Sequence, residues 1–181
     1  MKKYLFLAAV ALIAITACGG KKASAQKEAA AQPEQTKSLV ASTEEGAMFT
    51  DFEIAQPDGK VARLSDYVGK GKYILVDFWA SWCGPCKREI PNIKAAYEKY
   101  KGDKFDVLSV AVWDKPEDTA KAAAEHGVVW NQIVDAQKVP TDIYGIEGIP
   151  HLILFGPDGK IVKRGDALRG PGLEETLSNL L

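Results

Sequence analysis

Apolar residues are unevenly spread along the chain, and their spacing divides it into three stretches of different character. Leu5 to Ile15 form one short apolar run behind Lys2 and Lys3. From Gly19 to about Thr43, Lys, Ala, Gln, Glu and Ser dominate, a composition too poor in large apolar groups to order itself. From about Glu44 onward apolar blocks recur at the lengths of strands and helices. Phe49 to Ile54 and Lys60 to Leu64 flank Gln56-Pro57-Asp58-Gly59, which predicts a β-hairpin. Leu64-Ser65-Asp66 reads as a helix cap or tight turn. Tyr73 to Trp79 is almost wholly apolar, as a strand covered on both faces should be.

Gly84 to about Tyr100 carries Ile90, Ile93, Tyr97 and Tyr100 at near-helical spacing, with Pro91 predicting a kink. Phe105 to Trp113 is a second buried strand. Pro116 to His126 reads as an Ala-rich helix opened by proline and stopped by Gly127, where His126 complements the dipole. Val128 to Val134 suits a third parallel strand, and Val139 to Tyr144 a short helical turn. His151 to Phe155 and Lys160 to Gly165, joined by Gly156-Pro157-Asp158-Gly159, form a second hairpin; Leu173 to Leu181 is a closing helix. Strands alternating with helices and ending in a hairpin imply an α/β fold, a central mixed β-sheet flanked by helices.

A chain of 181 residues, 46% hydrophobic and 26% charged, fits one globular domain with appendages. Its net charge of −1 gives no reason to expect nucleic acid as a partner. The N-terminal run is too short for a comfortable membrane span and reads as a targeting segment. Its end, Ile15-Thr16-Ala17-Cys18, is similar to the bacterial lipobox, with cleavage before a cysteine that takes a lipid. That divides the chain into a signal peptide at 1–17, a lipid-attached tether at 18–43 and a folded domain at 44–181. An ordinary cleaved signal or an uncleaved anchor are the alternatives. Cleavage removes two lysines and no acid, so the charge moves from −1 to −3.

The remaining cysteines, Cys83 and Cys86, follow the strand and open the helix. A helix start offers unsatisfied N–H groups and the positive end of the macrodipole, which favour a thiolate at Cys83. Cys86, one turn on, is in reach to close a small disulfide ring. A zinc site is the competing reading of CxxC, but it needs about four ligands; there is no second cysteine pair and only two histidines. Asp77 is a carboxylate in an apolar strand, where burial raises proton affinity. It is a candidate proton acceptor or, alternatively, a strand-end acid in a salt bridge. His151 is either a pH-sensitive group or space-filling.

Val76-Asp77-Phe78-Trp79-Ala80-Ser81-Trp82-Cys83-Gly84-Pro85-Cys86-Lys87 resembles the active-site segment of thioredoxins, and Tyr144-Gly145-Ile146-Glu147-Gly148-Ile149-Pro150-His151-Leu152 resembles the segment carrying their cis-proline. Pro91 falls where thioredoxins kink the active-site helix. The N-terminal hairpin, the extra helix–strand unit at about 116–134 and Arg88-Glu89-Ile90-Pro91 are similar to the membrane-tethered, extracytoplasmic TlpA/ResA type. The resemblance implies a thioredoxin fold and a protein-disulfide reductase active in cytochrome maturation or other periplasmic thiol tasks. It implies Cys83 as nucleophile, Cys86 as resolving thiol and Asp77 as the acid–base group acting on Cys86. Trp82, Gly84, Pro85, Ile149 and Pro150 are the implied client-binding residues.

The two sulfurs need no cofactor and no metal. The implied partners are protein thiol or disulfide clients and a membrane thiol reductant, with the domain a monomer facing the periplasm. One departure bears on Asp77: Phe105 to Trp113 holds no lysine, whereas thioredoxins usually place one near that aspartate. Three rival readings remain, the first two sharing the fold. An oxidase or isomerase differs in potential. A peroxiredoxin would carry Thr-x-x-Cys, but Ala80 stands three before Cys83. A copper-delivery module would need CxxxC and a well-placed histidine.

Overall fold

The computed structural model describes residues 42–181, so the signal peptide, Cys18 and most of the tether expected above lie outside the described residues. The strands are β1 (Glu53–Ala55), β2 (Val61–Arg63), β3 (Tyr73–Trp79), β4 (Phe105–Ala111), β5 (Asn131–Ile133), β6 (His151–Phe155) and β7 (Ile161–Arg164). The α-helices are α1 (Gly84–Tyr100), α2 (Pro116–His126), α3 (Val139–Tyr144) and α4 (Pro171–Leu180). Five strands form the main sheet in the order β5-β4-β3-β6-β7, with β1 and β2 apart as a two-stranded sheet. β3, β4 and β5 run parallel, joined by α1 and α2; β6 and β7 return antiparallel.

Period two on the strands sorts the core into two layers. On one face, Leu75 and Trp79 of β3, Phe105 and Val107 of β4 and Leu152 and Leu154 of β6 pack with α1, α2 and α4. On the other, Ile74, Val76 and Phe78, Leu108 and Val110, and Ile153 and Phe155 pack with the N-terminal hairpin and α3. Side chains of both layers are almost completely buried, and at about 25 cal/mol per Å² this burial is the main source of stability.

Local chemistry places the helix ends. Pro116 and Gly127 bracket α2, with Gly127 left-handed at φ 68°. In the turn after β6, Gly159 has φ 88°, and a Cβ there would sit 2.8 Å from Phe49 Cδ1, so both conformation and space demand glycine. The 3-10 turn Leu64–Asp66 is fastened where Arg63 N–H donates to Asp66 Oδ2 at 2.8 Å.

Several expected boundaries move. The first hairpin keeps only three residues per strand, because 49–52 leave the β1–β2 ladder. Gly46 to Phe49 instead run along β7: Gly46 N–H donates to the Ile161 carbonyl at 2.7 Å and Ile161 N–H to the Ala47 carbonyl at 2.8 Å. β4 ends at Ala111 rather than Trp113, whose left-handed φ of 55° turns the chain out of the sheet. β5 begins at Asn131 because Val128 N–H is taken up by the Ala123 carbonyl at the end of α2. α4 starts at Pro171, after a 3-10 turn at Gly165–Leu168.

Candidate functional site

Ala80, Ser81 and Trp82 carry the chain from the end of β3 to the start of α1. Cys83 is the N-cap of that helix, with Gly84 and Pro85 as its first two residues. Proline suits this turn because the missing N–H is one that no helix carbonyl could accept. Cys86 N–H donates to Cys83 Sγ at 3.1 Å, so the sulfur already occupies the place that a capping oxygen would take. Cys83 and Cys86 are joined as a disulfide, S–S 2.04 Å and Cα–Cα 5.3 Å. α1 then continues across Pro91, which has no N–H to return to Lys87.

Both sulfurs are nearly covered, Cys83 at 3% and Cys86 at 2% exposure, while Trp82 beside them is 60% exposed. Exposure therefore does not separate the two cysteines; helix position does, since only Cys83 sits at the N-terminal N–H groups. The Trp82 indole N–H donates to the Trp113 carbonyl at 3.0 Å, which the left-handed backbone of Trp113 turns toward it. Across the site, the Ile149–Pro150 peptide is cis, and the Ile149 carbonyl oxygen lies 3.7 Å from Cys83 Sγ. Gly148 faces open space: a Cβ there would meet nothing within 4 Å.

Asp77 lies between Leu75 and Trp79 on β3, and alternation turns it into the layer that holds α1 and the cysteines. It is 2% exposed. Its register partners are Ser109 on β4 and Leu152 on β6. Ser109 Oγ donates to Asp77 Oδ2 at 3.2 Å. Burial pushes the Asp77 carboxyl up to about 7, eased by the Ser109 hydrogen bond and reinforced by the negative charge of Glu89 on α1. The salt-bridge alternative finds no support, since no cation pairs with Asp77 among the described residues. Trp79 is buried with its indole N–H unpartnered.

Sequence reasoning missed Asp114. Its carboxylate takes Ser81 N–H at 2.6 Å and Ser81 Oγ at 2.9 Å, and also Thr119 Oγ1 at 2.8 Å, tying the loop before Cys83 to the start of α2. The signal available was an acid just ahead of Lys115-Pro116, the head of a helix, where anions are favoured. Glu89, a buried acid quoted only within a motif, accepts Gly170 N–H at 2.7 Å and Asn92 Nδ2 at 3.1 Å. Arg164 was missed as well. It donates to the Thr43 carbonyl at 2.5 Å and the Tyr144 carbonyl at 2.9 Å, and its Nη2 lies 3.1 Å from His151 Nε2. Arginine only donates, so His151 Nε2 is the acceptor and carries no proton. Burial first, and then the Arg164 charge, lower His151 to about 4.

A disulfide at the head of a helix, a buried acid in the same layer and a cis-proline across from the sulfurs define a thioredoxin-fold dithiol protein. The chain belongs to the AhpC/TSA family, which it matches over residues 46–164. Two relatives are thiol-disulfide oxidoreductase ResA of Geobacillus thermodenitrificans, 31% identical over 65% of this chain and 67% of its own, and ResA of Bacillus subtilis, 30% identical over 67% of each. The thioredoxin domain of a thiol-disulfide oxidoreductase from Bacteroides vulgatus superposes with a TM-score of 0.68 at 34% identity, over 76% of this chain and 98% of that one. With its own Cys-Gly-Pro-Cys disulfide, the chain is an enzyme of that activity, a thiol–disulfide oxidoreductase of the TlpA/ResA type. The oxidase, copper-delivery and peroxiredoxin alternatives are not favoured.

Proposed function

We propose that this oxidoreductase works as a reductase of client protein disulfides. The reduced Cys83 thiolate attacks a client disulfide, forming a mixed disulfide and releasing one client thiolate. Cys86 then gives its proton to Asp77 and attacks Cys83 Sγ; the second client thiolate leaves, and Cys83–Cys86 is closed. Two electrons pass to the client, and a thiol donor must restore the dithiol.

The observation that carries this reading is the position of Asp77: a buried carboxyl raised to about 7, in the same layer as Cys86, is suited to accepting a proton near neutral pH. The Gly84-Pro85 dipeptide supports the reducing direction, being that of thioredoxin, which lies near −270 mV against about −120 mV for the oxidant DsbA. Gly148 is exposed with open space around it, next to Ile149, whose carbonyl lies by Cys83 Sγ, and supports docking of an extended client segment there, with Trp82 as an apolar flank.

We place the domain outside the cytoplasm, held by a lipid on Cys18 and re-reduced by a membrane thiol partner; cytochrome maturation is one such setting. The lipobox-like segment supports the anchor. No helix among the described residues is long and apolar enough to cross a membrane. The test is equilibration of the Cys83–Cys86 couple with glutathione buffers, for which a potential near the thioredoxin end is expected. A value near the DsbA end reverses the direction. Cys86→Ser should trap clients as mixed disulfides, while Cys83→Ser should trap none.

A further inference from the structure

The helix–strand unit that follows β4 reaches back to the proposed proton acceptor. Trp130, on the segment between α2 and β5, is buried, and its indole N–H donates to Ser109 Oγ at 2.8 Å. Ser109 is itself 1% exposed and donates to Asp77 Oδ2. The order of donation is fixed by chemistry. An indole N–H only donates, so Ser109 must accept from Trp130, and its single hydroxyl hydrogen is left for Asp77. Trp130 is held in turn against the active-site helix, its ring 5.5 Å from that of Tyr97 on α1.

We propose that Ser109 and Trp130 are a positioning pair that holds the Asp77 carboxylate in its proton-accepting state, so that the inserted unit serves the active site as well as the core. This rests on the reading of Asp77 as the proton acceptor for Cys86. The pair stands where β4 lacks the lysine that thioredoxins usually supply. A hydroxyl hydrogen directed at Oδ2 favours the ionised carboxyl and opposes the rise that burial imposes. The other neighbours do not help: β6 brings Leu152, which does not titrate, and α1 brings the cysteine pair and Glu89, whose charge pushes the wrong way. No other donor among the described residues reaches the carboxylate. Without the pair, burial would keep Asp77 protonated at neutral pH and unable to take a proton.

The direct test follows the Asp77 carboxyl carbon by NMR titration of the oxidised full chain. Wild type should titrate near 7. Ser109→Ala should raise that midpoint by about one pH unit, a tenfold gain in proton affinity, as expected for a hydrogen bond to a charged group. Trp130→Phe, which keeps a ring against Tyr97 but deletes the N–H, should raise it by a smaller amount. Ser109→Thr keeps the hydroxyl and should stay within a few tenths of wild type. An unmoved midpoint in Ser109→Ala or in Trp130→Phe overturns the pair. A merely structural role would lower melting temperature without moving the titration. The reading of Asp77 is tested separately: if Asp77→Asn reduces insulin with the wild-type pH profile, that reading fails, while the titration still reports on Ser109 and Trp130.

Discussion

Replacing Asp77 by asparagine should make the oxidised protein more stable and less active. Carrying the carboxyl from its ordinary 3.8 to about 7 corresponds to about 4 kcal/mol, at roughly 1.4 kcal/mol per tenfold change in proton affinity. Between those two values the unfolded chain has released a proton that the native protein still holds. Stability therefore falls as pH rises from about 4 to 7, and the full penalty acts above that window. Asparagine keeps an oxygen for Ser109 and removes the charge, but its amide hydrogens enter a site without acceptors, which takes back part of the gain. We expect Asp77→Asn to gain about 2 kcal/mol at pH 8, or about 4–8 °C in melting temperature for a domain of this size. At pH 4 the charge penalty is nearly gone while the amide cost remains, so the variant should be roughly 1–2 kcal/mol less stable than wild type. Reduction of insulin at pH 7 should slow about a hundredfold, the low end of general-base effects. Urea unfolding of both proteins at pH 4 and 8 measures the difference, and taking the variant against wild type cancels every other titrating group. Equal stability differences at the two pH values, or a variant less stable at pH 8, would refute the reasoning.

His151 should give the opposite slope. The unfolded ring gains a proton near 6.5 while the folded one resists to about 4, so stability falls as pH drops through that window. Discounted for the water that reaches a half-buried ring, the loss is about 1 kcal/mol, and His151→Gln should flatten it in the same urea series. Asp114→Ala strands Ser81 N–H, Ser81 Oγ and Thr119 Oγ1; it should lower stability by about 3 kcal/mol, read from the urea midpoint. Trp82→Ala touches an exposed ring, so melting should change by less than about 1 kcal/mol. Reduction of insulin should slow several-fold in that variant, with little change toward a small disulfide.

The parts of this fold that follow local rules were legible in the chain. β3, α1, α2, α3 and β6 run between the residues that spacing and capping predicted, because proline, glycine and the helical period act within a turn of themselves. Departures come from partners distant in sequence. Residues 46–49 pair with 159–161 across more than a hundred positions, and a sequence window that reads Phe49 as the start of a hairpin strand cannot see that edge. Asp114 and Arg164 escaped for a related reason: each works by binding backbone or hydroxyl groups across loops, and such contacts leave no periodic trace. Asp77 was visible because a lone acid breaks an apolar run. Ser109 was not, since a serine in a strand disturbs the pattern little.

Strand register joins these observations into one requirement. Alternation puts Leu75, Asp77 and Trp79 on the face shared with α1, and Val76 and Phe78 on the face shared with the N-terminal hairpin. The pairing of Asp77 with Ser109 and with Leu152 holds that assignment from both sides. A slip of one residue would send Asp77 to the opposite layer, away from the sulfurs and from the Ser109 hydroxyl, and would turn Val76 or Phe78 toward α1. Such a slip would also place a carboxyl among Ile153, Leu108 and Phe155 with no donor, several kcal/mol worse than its present site. The energetics that hold the register are those of the apolar neighbours, since Asp77 itself opposes folding above about pH 4. Packing around β3 therefore fixes in place a group that burial disfavours, and that opposition is the source of its raised proton affinity.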